Sequence, residues 1–150
     1  MDIIRLSVPG ALRYRDVVLR VVASSCRLVR SMATAKQEPS RDADEFVDKV
    51  VSAVSEAFNN VAIHAYRDLA PGTVDLEMEV SPAGITIRMS DTGHEFEPKL
   101  TRTPDLKSLP ESNMGLYIVR SFMDQVTYRP GNGTSVPNTL TLVKHFVAES

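Results

Sequence analysis

The sequence predicts an α/β two-layer sandwich, one mostly antiparallel sheet with helices on one face. Three observations carry this. Residues 73-TVDLEMEV-80 and 85-ITIRM-89 alternate apolar and polar side chains around the short turn 81-SPAG-84, the pattern of a half-buried hairpin. Two long stretches before that hairpin repeat apolar residues at helical spacing instead. A second alternating pair, 126-VTYR-129 and 139-TLTLVKHF-146, closes the chain around the turn-rich 130-PGNGTSVPN-138. Strands and helices arriving in blocks of this kind fit a sheet covered on one side.

The elements follow in order. Residues 3-IIRLSV-8 read as a strand, stopped by Pro9-Gly10. A helix is expected from about Ala11 to Met32, with Leu12, Leu19, Val22, Cys26 and Val29 on its apolar side. The polar segment 35-AKQEPSRD-42 reads as a loop in which Ser40 or Asp42 could cap the next helix. That helix, about Ala43 to Arg67, carries the clearest stripe: Phe46, Val47, Val50, Val51, Val54, Phe58 and Val61. Pro71-Gly72 ends it. After the first hairpin, 97-EPKLTRTPDLKSLPESN-113 has three prolines and no periodicity. A loop of that length in a compact domain tends to be a lid or a binding loop. The stretch 114-MGLYIVRSFMDQV-126 then reads as a short helix with Leu116, Val119 and Met123 on one side.

Composition narrows the function. The 150 residues fit one domain with a substantial core, 43% hydrophobic and 24% charged. Seventeen basic against 19 acidic side chains, without long blocks, argue against a nucleic-acid binder, which needs a basic face to displace counterions. The single Cys26 rules out an internal disulfide and a thiolate zinc site. No secretory signal is visible at the N-terminus, and no apolar run approaches the roughly 20 residues that span a bilayer. A cytoplasmic protein without membrane or direct nucleic-acid partners is the expectation.

Three segments carry residue types suited to chemistry. Glu56 and Asn60 lie four apart on the long helix, and His64 continues their stripe. Asparagine is a poor mid-helix residue, yet 59-NN-60 places two there. Asp91-Thr92-Gly93 follows a strand, where a carboxylate only accepts hydrogen bonds and glycine permits close approach. At Asn113-Met114-Gly115 a loop runs into a helix, whose free N–H groups and dipole favour a phosphate. Each alone has an ordinary reading: a solvated helix face, a turn, a helix entry.

In this order and spacing the three resemble the histidine-kinase-like (GHKL, or Bergerat) ATPase fold. Within it they are similar to bacterial anti-sigma-factor serine/threonine kinases of the partner-switching type. The segment 55-SEAFNNVAIHAY-66 resembles that family's N box, 87-IRMSDTGHEFEP-98 its G1 box, and 114-MGLYIVRSFMDQVTY-128 its G2 box with the following strand. The resemblance covers about Ile4 to Phe146. It implies that Asn60 holds Mg2+ together with ATP phosphates, that Glu56 is the catalytic base, and that Asp91 accepts the adenine amino group with Gly93 leaving room for the ring. Residues 99–113 would be the ATP lid, and the helix from Gly115 would meet the phosphates. His64, Phe96, Asn113, Met114, Leu116 and Thr141 complete the implied nucleotide-binding set. Implied partners are a STAS-type antagonist, phosphorylated on a hydroxyl, and a sigma factor or other regulator that is sequestered. A homodimer through the first strand and helix is also implied. Two departures stand out. Asn113 replaces the first glycine of the G2 box, and His94-Glu95 makes the G1 loop bulkier.

Asp-Thr-Gly after a strand is also the signature of a retropepsin-like protease. Two long helices before the motif contradict the almost wholly β chain such an enzyme needs. No phospho-acceptor helical hairpin precedes the fold, so a detached histidine-kinase domain is disfavoured. The stronger rival is a non-catalytic partner-switch protein with weak or absent ATP binding. Glu56 argues against it, since a pure binder has no use for a base one turn from Asn60.

Overall fold

The structure is a computed structural model that describes residues 2–33, 41–66, 70, 72–93, 111–132 and 135–147; side chains of 41–43 and 111–116 lie outside that description. Five strands form one sheet in the order β1-β2-β3-β5-β4, with every neighbouring pair antiparallel. The strands are β1 (Asp2–Pro9), β2 (Thr73–Ser81), β3 (Gly84–Asp91), β4 (Gln125–Arg129) and β5 (Asn138–His145). The helices are α1 (Arg15–Ala33), α2 (Arg41–Asn60) and α3 (Glu111–Phe122), with α2 packed between the other two.

Side-chain alternation sets which sheet face is covered. The registers line up Leu6, Leu76, Met89, Leu140 and Tyr128 in one row across the sheet, and Ile4, Met78, Ile87, Leu142 and Val126 in the next. Of these, Leu76, Met78, Ile87, Met89 and Leu142 are fully buried. From α1 they meet Val18, Val22, Cys26 and Val29, and α2 adds Phe46, Val50, Val54 and Phe58 to the same core. The expected two-layer sandwich is therefore present. The other face carries polar pairs, Arg88 Nη1 with Glu79 Oε1 at 2.8 Å and Ser7 Oγ donating to Asp75 Oδ1 at 2.7 Å. Pairs that keep contact with solvent in this way add little stability, and among the described residues no helix packs on that face.

Several boundaries differ from the sequence reading, among them the end of the long helix, which stops at Asn60. The first helix is preceded by a 3-10 turn over Leu12–Tyr14, which breaks the α periodicity and leaves Leu12 50% exposed, off the buried stripe. The second helix begins at Arg41, so Asp42 lies inside it and not at its cap; Ser40 falls outside the described residues. Helix α3 begins at Glu111, which puts Asn113 and Gly115 within the helix. It also ends at Phe122, four residues short of Val126. There the Asp124 N–H donates to the Val143 carbonyl at 2.8 Å, and Asp124 Oδ2 accepts the His145 N–H at 2.7 Å, turning the chain onto β5.

Candidate functional site

The site is built where β3 ends. The covered face of β3 is apolar at Ile85, Ile87 and Met89, and the next inward position is Asp91, only 7% exposed. Across the ladder Asp91 pairs with Asn138, the first residue of β5, which is 2% exposed. Asn138 Nδ2 donates to Asp91 Oδ1 at 3.1 Å and to the Gly93 carbonyl at 2.9 Å. The Gly93 N–H donates to the same Asp91 Oδ1 at 2.9 Å. Asn138 Oδ1 in turn accepts the Gly131 N–H at 2.8 Å, tying the β4–β5 connection to the end of β3.

One carboxylate oxygen is thus doubly occupied. Among the described residues no donor reaches the other, Oδ2, and no side-chain polar atom is both sealed from solvent and unpaired. Among the described residues, Asp91 Oδ2 is thus an acceptor without a hydrogen-bond donor. Burial raises the Asp91 pKa above its ordinary value, opposed by the hydrogen bonds from Asn138 and Gly93. A buried carboxylate with one oxygen left without a described donor suits a neutral N–H donor such as an amino group on a flat ring.

The end of α2 holds this loop in place. After Asn60 the helix widens into a π turn over Val61–Ala65, a distortion frequent at functional sites. A Cβ on Gly93 would collide with the Ala65 carbonyl, so the close approach this glycine permits is to the π turn. Tyr66 follows at once. Its hydroxyl donates to the Thr73 carbonyl at 3.0 Å and accepts the Thr92 N–H at 3.2 Å. Its ring lies between two glycines: a Cβ on Gly10 or on Gly72 would each come within 2.6 Å of it. The Gly10 N–H donates to the Gly72 carbonyl at 2.7 Å, closing the frame. Gly10 and Gly72, from pairs expected only to stop elements, supply a slot for Tyr66.

Glu56 and Asn60 lie one turn apart on the last part of α2, both half-buried, and among the described residues no partner engages either side chain. Asn59 is the paired one, accepting from Arg15 Nη1 at 3.3 Å. His64 is half-buried on the π turn, whose wider spacing moves it off the straight helical stripe. No group of three His, Cys, Asp or Glu side chains that could cage a metal occurs among the described residues. Asn60 alone fits a Mg2+ ion only if most of the ion's ligands come from a nucleotide and water, the usual arrangement for this metal.

Several expected site residues stand elsewhere. Thr141 pairs with Arg88 and Thr127, between the inward-facing Leu140 and Leu142, and so lies on the uncovered sheet face away from Asp91. Asn138 occupies the place beside the carboxylate. The free N–H groups of α3 belong to its first turn from Glu111, ahead of Gly115, so Gly115 does not lead the helix. The passage from loop to helix expected at Asn113 likewise lies earlier, because that residue is already helical. Phe96, His94-Glu95 and the lid through residue 110 lie outside the described residues, as do the side chains of Met114 and Leu116. Asn138 and Tyr66 were not singled out from sequence.

Comparison with known proteins agrees with this geometry. Residues 20–144 match the family described as "Histidine kinase-like ATPase domain". The chain is 34% identical to an anti-sigma F factor of Clostridium beijerinckii over 119 residues, spanning 73% of this chain and 79% of that protein. It is 29% identical to the serine-protein kinase RsbW of Staphylococcus aureus over 155 aligned positions, spanning 97% of this chain and 91% of that protein.

Proposed function

Because the chain belongs to the histidine kinase-like ATPase domain family, we propose that it is an ATP-dependent protein serine/threonine kinase of anti-sigma-factor type. The observation that carries this reading is Asp91 at the end of β3, braced on Oδ1 by Asn138 and Gly93 and with no donor on Oδ2 among the described residues. Asp91 takes the adenine amino group. The carboxamide oxygen of Asn60 holds Mg2+, which when bound neutralises phosphate charge. Glu56 removes the proton from the attacking hydroxyl of the protein substrate. Catalysis of this type is mainly positioning and charge neutralisation.

As the resemblance to partner-switching kinases implies, the phosphorylated partner is a STAS-type antagonist; the sequestered one is a sigma factor, as the name of the anti-sigma F relative suggests, or another regulator. A single cytoplasmic domain fits this reading; among the described residues no helix is long and apolar enough to cross a membrane. A homodimer would use the β1 edge and α1, where Val17, Leu28 and Met32 expose one apolar side.

Calorimetric titration with Mg-ATP tests the reading. Saturable binding is expected, abolished in Asn60→Ala and kept in Glu56→Ala, which loses phosphoryl transfer to the antagonist. Absence of heat at millimolar nucleotide would remove the kinase assignment and leave a non-catalytic sequestering protein.

A further inference from the structure

We propose that Asn138 is the positioning residue that gives the site its preference for adenine over guanine. The inference rests on the nucleotide-binding reading above and goes beyond it, since Asn138 belongs to neither the N box nor the two glycine boxes.

The geometry runs from the β4–β5 connection to the base. Asn138 is buried, and its amide nitrogen divides between Asp91 Oδ1 and the Gly93 carbonyl. Its carboxamide oxygen is held by the Gly131 N–H, which fixes the amide orientation so that the nitrogen must point at Asp91. With the Gly93 N–H also on Oδ1, the carboxylate is clamped from one side by two donors. It can present one oxygen to a base, and it cannot swivel to present both.

The purine edges differ in what they need from such a group. Adenine offers one amino donor, which a single acceptor satisfies. Guanine turns a carbonyl toward that position and offers adjacent N1–H and N2–H donors, which a carboxylate binds best with both oxygens. A fixed single acceptor therefore meets the guanine carbonyl with like polarity, and leaves guanine's paired donors unmatched. Polar mismatch of this kind discriminates strongly, because desolvated groups stay unpaired. Releasing Asn138 would free Oδ1 of one clamp and let the carboxylate turn toward the guanine edge.

The experiment is a calorimetric titration of wild type, Asn138→Ala and Asn138→Ser with Mg-ATP and Mg-GTP, with thermal melts to confirm folding. Wild type should prefer ATP by at least about 100-fold. Asn138→Ala should lose about tenfold or more in ATP affinity while GTP affinity holds or rises, so that the ratio collapses. Asn138→Ser, which restores one donor, should recover part of the ratio. Equal losses for both nucleotides would mean a merely structural residue and overturn the proposal. Wild type binding ATP and GTP alike would overturn it without any variant, while leaving the nucleotide-binding reading intact. Wild type binding neither would overturn that reading itself. Should Asn138→Ala fail to fold, an Asn138→Ser ratio equal to that of wild type would overturn the proposal.

Discussion

The two ends of α2 close the same layer in opposite ways. At its N-terminal end Phe46 packs edge-on against Phe146, ring centroids 5.2 Å apart and planes at 72°, an apolar closure. At its C-terminal end the helix widens into a π turn, and the layer closes on hydrogen bonds among Tyr66, Thr92, Gly93, Asp91 and Asn138. The first end gains stability from burial. The second buries a carboxylate, which is costly, and leaves one of its oxygens unmatched. A fold tolerates that where the unmatched group has work to do on a ligand.

Substitutions at the two ends should therefore separate stability from binding. The largest stability effect belongs to Phe46→Ala, which removes a buried ring and should cost about 3–5 kcal/mol in urea unfolding. Its Mg-ATP affinity, measured where the variant is folded, should stay within a factor of two. A large loss of affinity would show that the two ends are coupled. Asp91→Asn should do the converse. Calorimetry should find ATP affinity down by about 100-fold, since the amide offers a donor where the amino group needs an acceptor. The melting temperature should stay the same or rise, because the buried charge is gone. Tyr66→Phe stands between them. It keeps the ring in its glycine slot but drops both hydroxyl bonds, so about 1–2 kcal/mol of stability and a several-fold ATP affinity should go together.

The same contrast explains how much was legible in the sequence. Apolar ends announce themselves by period: Val74, Leu76, Met78 and Val80 alternate, Phe46, Val50, Val54 and Phe58 recur at helical spacing, and the structure buries all eight. Asp91 was legible because it follows that alternation at a strand end. Asn138 was not, since it sits 47 residues away at the close of a Gly-Pro-rich turn, where asparagine reads as turn chemistry. Only the β3–β5 register reveals that it faces Asp91. The parity that places Thr141 on the far face was present in 138-NTLTLVKH-145, whose leucines at 140 and 142 mark the inward positions. The π turn left no signal, because nothing in 61-VAIHA-65 breaks an ordinary helical pattern. The slot for Tyr66 needs Gly10 and Gly72 brought together by the pairing of β1 with β2, a long-range event that Pro-Gly pairs do not encode.

The smallest effect expected is also the one that separates the two ends without a mutation. Burial raises the Asp91 pKa, so the folded protein binds this proton more readily than the unfolded chain does. Between the ordinary carboxylate pKa and the raised one, the native state holds the proton and the unfolded state does not. Stability from this group is then full at low pH and falls as pH rises through the raised value. Nucleotide affinity has the reverse sign, because the adenine amino group needs the ionised acceptor. As pH drops through that raised pKa, ATP affinity should weaken while the Asp91 contribution to stability grows. Comparing wild type with Asp91→Asn in parallel melts and titrations isolates the group, since other carboxylates titrate in both proteins. If the difference in stability between the two proteins does not change with pH, Asp91 is not the desolvated acceptor that distinguishes this end of α2.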